Sequence, residues 1–126
     1  DYAHHPRELD ALIGSVRKLY PGRKLTGIFQ PHLFSRTKDF AGEFAMSLSA
    51  LDELILLDIY PARELPVAGV SSEMIFNQVT IENKILCSKA ELMDLLRDKE
   101  IDVLLTAGAG DIDRFIIPIK ELLSGK

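Results

Sequence analysis

The 126-residue sequence has one cysteine, no tryptophan and no apolar run near 18 residues. The single thiol, Cys87, excludes a disulfide scaffold, and the short apolar runs exclude a membrane-spanning helix. Acidic residues outnumber basic ones by 19 to 15, which argues against the basic face that nucleic-acid binding requires. We therefore expect neither a nucleic acid nor a membrane among its partners.

The sequence also lacks a secretory leader and an initial methionine, since it begins at Asp1. An unpaired thiol without a leader is typical of a reducing compartment, so a cytoplasmic location is expected. The start at Asp1 indicates a piece of a longer protein. The hydrophobic content of 47% excludes disorder, and the length predicts one domain over residues 1–126.

Helical and strand patterns alternate along the whole chain. Helices are predicted to begin at Pro6, at a cap formed by Ser35 or Thr37, near Glu73, after Ser88 and at Asp111. Strands are predicted over 24–30, 54–59, 84–87 and 101–106. This alternation predicts an α/β fold, a three-layer Rossmann-like domain with a mostly parallel sheet.

Two local features refine the predicted helix ends. Ser88 and Glu91 have the spacing of a capping box. Pro118 lies inside the last helical pattern and is expected to kink or interrupt it.

Polar residues and glycines follow the predicted strands at their carboxyl ends. His32 and Arg36 follow the first strand, Asp58 ends the second, and Gly108 and Gly110 follow the fourth. Ligands of open parallel sheets bind beyond the carboxyl ends of the strands. We therefore expect a binding site at this edge.

Each of these residues also has a simpler interpretation. Arg36 is either a solvated loop arginine or, together with the amides of the following helix, part of an anion site. Gly108 and Gly110 resemble a dinucleotide fingerprint, but Asp113 occupies the third glycine position, so a close-approach turn is predicted instead. Asp58 is interpreted as a strand-end residue rather than a general base.

Metal and thiol chemistry are not expected. Adjacent histidines such as His4 and His5 rarely point at one ion, so helix capping or substrate contact is favoured over a metal site. Cys87 is predicted to be an inert core thiol.

Four segments, in order along the chain, resemble motifs of the Mur ligases. They are D-Y-A-H-H-P from Asp1, Q-P-H-L-F-S-R-T from Gln30, D-I-Y-P-A-R-E from Asp58 and G-A-G-D-I from Gly108. The chain is similar over almost its whole length to the C-terminal domain of this family. The last three segments resemble the branch that joins L-alanine to UDP-N-acetylmuramate.

This resemblance implies ATP-dependent amide bond formation through an acyl phosphate, a step of peptidoglycan precursor synthesis. It also implies N-terminal and central domains in the same protein, the central one carrying a P-loop and the Mg²⁺ ligands. No G-x-x-x-x-G-K-[ST] pattern occurs in the 126 residues. The resemblance therefore implies that ATP and Mg²⁺ are bound mainly by the central domain, and that this chain alone is inactive.

The resemblance also implies roles for individual residues, none of them catalytic in itself. Asp1 is expected to hold the ribose hydroxyls of ATP. His4, His32 and Arg36 are expected to face L-alanine and the acyl end of the nucleotide sugar. The neighbours of that site are Tyr2 and the turn from Gly108 to Gly110. Leu33 stands where many relatives carry arginine, so a second cation is absent at that position.

Three alternatives accompany this interpretation. A murein peptide ligase attaches a recycled tripeptide to the same nucleotide sugar, but the segment from Gln30 to Thr37 favours the alanine branch. A stand-alone nucleotide- or anion-binding module conflicts with the start inside a motif at Asp1. A structural interaction domain leaves His32 and Arg36 at the sheet edge without explanation.

Overall fold

The computed structural model describes residues 5–108 and 111–125. Its helices are α1 (Pro6–Leu19), α2 (Phe34–Leu48), α3 (Glu73–Phe76), α4 (Lys89–Arg97) and α5 (Ile116–Ser124). Its strands are β1 (Leu25–Gln30), β2 (Glu53–Leu57), β3 (Lys84–Cys87) and β4 (Val103–Gly108). Within the described ranges, every helix is too short or too polar to cross a lipid bilayer.

The four described strands form one parallel sheet in the order β3-β2-β1-β4. In its register, Ile28 of β1 lies between Ile55 of β2 and Thr106 of β4. The two central strands, β1 and β2, are buried along their whole length. The predicted α/β fold with a mostly parallel sheet is confirmed.

Hydrophobic cores cover both faces of the sheet and make the three layers. The core between the sheet and α1, α2 and α3 includes Leu9, Ile13, Phe29, Phe44, Leu48, Leu54, Leu56 and Ile75. The core on the opposite face, under α4 and α5, includes Ile28, Ile55, Leu57, Leu92, Leu96, Ile112 and Ile119. Alternate residues of each strand therefore point to opposite cores, as the strand geometry requires.

Two helix starts agree with the sequence. Pro6 is the first residue of α1, and the His5 imidazole accepts a hydrogen bond from the Arg7 amide. Ser88 and Glu91 form the predicted capping box at the start of α4. Both caps join residues at most three positions apart, so the local sequence specifies them.

Two other helix starts differ from the predictions. The helix α2 begins at Phe34, so Ser35 and Thr37 lie inside its first turn and neither is its N-cap residue. The Thr37 hydroxyl instead donates to the carbonyl of Leu33 at 2.9 Å. The predicted local cap is therefore wrong, and the acceptor for the first amides of α2 belongs to a distant segment of the chain.

The last helical segment begins as a 3₁₀ helix, Asp111–Phe115, and becomes α-helical at Ile116. Pro118 has no amide hydrogen to donate to the carbonyl four residues before it. Pro118 therefore lies in the first turn of α5 rather than in a helix interior, and the predicted α-helix starting at Asp111 is corrected.

Ion pairs link the elements at the amino-terminal ends of the strands. Arg17 of α1 contacts Asp52 at 2.9 Å, and Arg23 contacts Asp102. Glu53, with 7% of its surface exposed, contacts the Lys99 ammonium at 2.6 Å. Asp52, Asp102 and Glu53 are thus each paired with a basic side chain of the same chain.

Candidate functional site at the carboxyl ends of the strands

The segments that follow β1 and β2 continue side by side beyond the sheet. His32 and Tyr60 form an isolated parallel bridge. The Tyr60 amide donates to the carbonyl of Pro31 at 2.8 Å, and the Leu33 amide donates to the carbonyl of Tyr60 at 2.9 Å. These hydrogen bonds bring two of the segments singled out in the sequence into direct contact at the predicted edge.

Leu33 is the corner between this extended segment and α2. Its φ of 68° lies in the left-handed region, which a branched side chain such as leucine rarely occupies. Such a conformation costs about 1–3 kcal/mol and persists only where surrounding contacts impose it. The bridge on one side and the fixed start of α2 on the other supply those contacts.

The first turn of α2 is capped by Glu64, which lies in the loop after β2. The carboxylate of Glu64 accepts hydrogen bonds from the amides of Phe34 at 2.6 Å and Ser35 at 3.1 Å, and from the Ser35 hydroxyl. The Ser35 hydroxyl, with the Ser35 and Phe34 amides and the charge of His32, holds the pKa of Glu64 below its usual range. Glu64 is therefore an anion near neutral pH, at the helix end where the macrodipole favours one.

Arg36 follows directly in the same turn and is half-buried. The prediction that Arg36 and the helix amides together bind a ligand anion needs a correction. The amides of Phe34 and Ser35 already donate to Glu64. These two amides are therefore not open to a ligand anion, and Arg36 is expected to bind one through its side chain.

Three side chains form an aromatic and cationic cluster at the same edge. The His32 and Tyr60 rings are stacked, with centroids 5.8 Å apart and an interplanar angle of 18°. The Lys89 ammonium, from the first residue of α4, lies 5.9 Å from the centroid of the Tyr60 ring. The segments after β1, β2 and β3 therefore contribute to one cluster.

Gly108 brings β4 close to β1 at the same edge. Its φ of 147° is unfavourable for any other residue, and a Cβ atom there would lie 2.8 Å from the carbonyl oxygen of Gln30. The Gln30 side chain, 1% exposed, accepts a hydrogen bond from the Ile112 amide at 3.0 Å. The close approach predicted at Gly108 agrees with this geometry, whereas Gly110, the other end of the predicted turn, lies outside the described residues. Gln30 ties the end of β1 to the segment after β4.

The other predicted residues divide into two groups. Asp1, Tyr2, His4 and Gly110 lie outside the described residues, so their roles stay predictions. Asp58 is exposed at the end of β2, and Cys87 is buried, with its pKa raised to about 11 by burial. Among the described residues, no three His, Cys, Asp or Glu side chains come together as metal ligands.

Sequence reasoning missed three residues of this edge as individual site residues: Gln30, Glu64 and Lys89. Gln30 and Glu64 belong to segments that resemble family motifs, but their hydrogen-bond partners lie 82 and about 30 residues away along the chain. A local pattern contains no information about such distant partners. Lys89 carries no signal in the sequence beyond its place after a predicted strand.

Residues 1–110 match the family model described as Mur ligase, glutamate ligase domain. The UDP-N-acetylmuramate–L-alanine ligase of Parabacteroides distasonis is 63% identical over 123 residues, covering 98% of this chain and 27% of that protein. The one from Porphyromonas gingivalis is 60% identical, again over 98% of this chain and 27% of the relative. The chain thus spans about a quarter of the length of the curated relatives that it matches.

A solved structure gives the same comparison in three dimensions. The crystal structure of the UDP-N-acetylmuramate–alanine ligase from Thermotoga maritima aligns over 100% of this chain and 26% of its own, with a TM-score of 0.72 and 26% identity.

Proposed function

This chain belongs to the Mur ligase family, and we propose that it is the C-terminal domain of a UDP-N-acetylmuramate–L-alanine ligase. One observation carries the proposal: 63% identity to a ligase of that name, maintained over 98% of this chain. The edge formed by His32, Arg36 and Gly108 supports it, because the segments of the alanine branch come together there. The proposal includes a cytoplasmic enzyme whose N-terminal and central domains complete the active site.

In the proposed reaction, the carboxylate of UDP-N-acetylmuramate is activated as an acyl phosphate at the expense of ATP. The amine of L-alanine then forms the amide, with release of phosphate. Both substrates carry carboxylates, and the acyl phosphate is itself an anion. A site for them needs hydrogen-bond donors and positive charge at fixed positions.

The described side chains of this edge have that chemistry. Arg36 presents a planar set of donors that can bind the L-alanine carboxylate at two points. The His32 ring is held by stacking on Tyr60 and can donate to an acyl or phosphoryl oxygen. The proposed roles of Asp1 toward the ATP ribose, and of Tyr2, His4 and Gly110 near the substrates, rest on the motif resemblance alone.

The described residues suit the phosphate groups of ATP but not Mg²⁺. The basic side chains His32 and Arg36 suit phosphate oxygens, but within residues 5–108 and 111–125 no carboxylate cluster has the makeup of a Mg²⁺ site. We therefore assign the Mg²⁺ ligands and the phosphate-binding loop to the central domain. The isolated chain is expected to form no amide product.

A murein peptide ligase is the second candidate within the same family. The crystal structure of such a ligase from Psychrobacter arcticus has a TM-score of 0.77 to this chain but only 16% identity, so it shares the fold alone. The high identity to the L-alanine ligases favours the first candidate. A direct comparison of L-alanine and the tripeptide as substrates of the full-length enzyme separates the two.

The sharpest test of the proposed site is Arg36→Lys and Arg36→Ala in the full-length enzyme. Lysine keeps the charge but loses two-point binding, so Arg36→Lys should weaken the use of L-alanine and Arg36→Ala should weaken it further. The loss of a charged pair in a closed cleft costs on the order of 2–5 kcal/mol, which predicts at least about tenfold lower kcat/KM for L-alanine in Arg36→Ala.

Arg97→Ala is the matched control, because Arg97 lies at the far end of α4 and its side chain is 61% exposed. That variant should have normal kinetics. Normal kinetics of Arg36→Ala combined with a lower melting temperature would assign Arg36 a structural role and contradict the proposed site.

A further inference from the structure

We propose that Glu64 is the positioning residue for Arg36: its carboxylate fixes the first turn of α2 against the loop that follows β2. The inference deepens the proposed function and rests on it for its kinetic consequences. Glu64 is not a substrate ligand in this proposal. It acts through the helix turn that carries Arg36.

The first step of the argument is the unusual start of α2. A helix leaves its first four amides without partners inside the helix, and a polar N-cap side chain commonly satisfies one of them. The N-cap residue of α2 is Leu33, whose side chain has no acceptor. Glu64, from a loop about 30 residues further along the chain, accepts from the Phe34 and Ser35 amides.

The second step is how Glu64 itself is placed. The Glu64 amide donates to the carbonyl of Pro61 at 2.9 Å, and Ala62 between them adopts a left-handed φ of 53°. This tight turn follows Tyr60, which is bridged to the extension of β1. The backbone of the Glu64 loop is thus joined to the sheet edge independently of α2.

The third step is the geometry that results. Backbone hydrogen bonds hold the loop after β2 to the segment before α2, and the carboxylate of Glu64 holds the same loop to the helix turn. Arg36 is the residue after Ser35, which donates to Glu64 through both its amide and its hydroxyl. A shift of this turn moves the guanidinium group relative to His32 and the rest of the edge, and small misplacements in a binding site are costly.

The test uses the full-length ligase with Glu64→Ala, Glu64→Gln and Ser35→Ala. Glu64→Ala should raise the KM for L-alanine by about tenfold or more and leave the KM for ATP within about threefold. Glutamine keeps an acceptor oxygen for the two amides, so the KM of Glu64→Gln for L-alanine should stay close to that of the wild-type enzyme. Ser35→Ala removes one hydrogen bond and should have a smaller effect in the same direction, which provides a readout if Glu64→Ala does not fold.

Glu82→Ala is the matched control, since Glu82 is exposed and lies just before the amino-terminal end of β3. An unchanged KM for L-alanine in Glu64→Ala, with only a lower melting temperature or a lower kcat, would overturn the proposal. Failure of Glu64→Gln to restore the KM would overturn it too, because the charge rather than the hydrogen bonds would then be responsible.

A second measurement separates this proposal from the proposed function. Amide hydrogen exchange over 34–37 in the full-length protein should be faster in Glu64→Ala by about tenfold, with exchange in α4 unchanged. Unchanged exchange in the first turn of α2 would overturn the positioning role whatever the enzyme does. If the amides of 34–37 exchange faster in Glu64→Ala, as expected, but the wild-type enzyme does not use L-alanine, the positioning role stands and the proposed function is contradicted.

Discussion

The two ends of the sheet use charged residues in different ways. At the amino-terminal ends of the strands, charged side chains form ion pairs with each other, as Arg17 does with Asp52 and Lys99 with Glu53. At the carboxyl-terminal ends, the carboxylate of Glu64 binds backbone amides. At the first edge, a carboxylate that accepts from a backbone amide, such as Asp52 from Leu25, is also paired with an opposite charge. At the second edge, Glu64 accepts from two amides and a hydroxyl and so fixes the helix turn that carries Arg36.

Unfavourable backbone conformations follow the same division. Among the described residues, the non-glycine residues with positive φ, Leu33 and Ala62, lie in the segments that follow β1 and β2, and Gly108 ends β4. Gly22, at the other edge, also has a positive φ, but glycine adopts that conformation without strain. In residues other than glycine, such conformations are maintained at a cost to stability and are typical of binding and catalytic sites. The comparison teaches that the amino-terminal edge stabilises the domain, while the carboxyl-terminal edge gives up stability to hold side chains in position.

The largest effect is expected for Gly108→Ala. The new Cβ atom would approach the carbonyl oxygen of Gln30 to 2.8 Å at a φ of 147°. We expect the free energy of unfolding of the chain to fall by about 2–4 kcal/mol, measured by urea denaturation.

Gly14→Ala is the control, because Gly14 lies within α1 and a Cβ atom there meets nothing within 4 Å. It should raise the free energy of unfolding by about 0.5–1 kcal/mol. Equal effects of the two substitutions would show that the close approach at Gly108 is not a constraint.

An intermediate effect is expected for Lys99→Met at the other edge. Burial alone would raise the pKa of Glu53, but the hydrogen bond and charge of Lys99, aided by Lys24 and Thr26, hold that pKa below its usual value. Without Lys99, the Glu53 carboxylate keeps the Lys24 ammonium at 3.6 Å and the Thr26 hydroxyl. The free energy of unfolding should fall by about 1–3 kcal/mol.

The more exposed Lys24 provides the comparison at the same carboxylate. Lys24→Met should cost less than about 1 kcal/mol. In the full-length enzyme, neither substitution should change the KM for L-alanine. A changed KM for L-alanine in Lys99→Met would contradict the view that only the carboxyl-terminal edge positions side chains for binding.

The smallest effect is expected for Asp52→Asn and concerns pH. The Arg17 guanidinium, followed by the Leu25 amide, holds the pKa of Asp52 below its ordinary value of 3.8. The unfolded state therefore binds a proton more readily than the folded state. The stabilisation is complete above the unfolded pKa and is lost as the pH falls through the folded pKa.

Exposed pairs of this kind contribute at most about 1 kcal/mol, so the loss at pH 7 should be small. Urea midpoints between pH 7 and pH 3 should fall less steeply in Asp52→Asn than in the unmodified chain. Parallel pH profiles would mean that the pair contributes nothing measurable.

Much of the fold follows from neighbouring residues. The apolar spacing after Pro6 and the capping box of Ser88 and Glu91 predict α1 and α4. The nearly continuous aliphatic run over 54–59 predicts a strand buried on both faces, which the structure has over Glu53–Leu57. These features depend on contacts within one or two turns or within one strand. Where a helix start depends on something further away, as at Phe34 and Ile116, the prediction was wrong by position or by helix type.

The sequence by itself determined the alternation of helices and strands, the parallel sheet and the edge at which His32 and Arg36 lie. Only the tertiary structure decided that Glu64 caps α2, that Gln30 holds the segment after β4 and that Gly108 touches β1. The physical reason is the range of the interactions. Periodicity and local capping act over a few residues, whereas these contacts join segments about 30 to 82 residues apart and form only when the strand order brings those segments together.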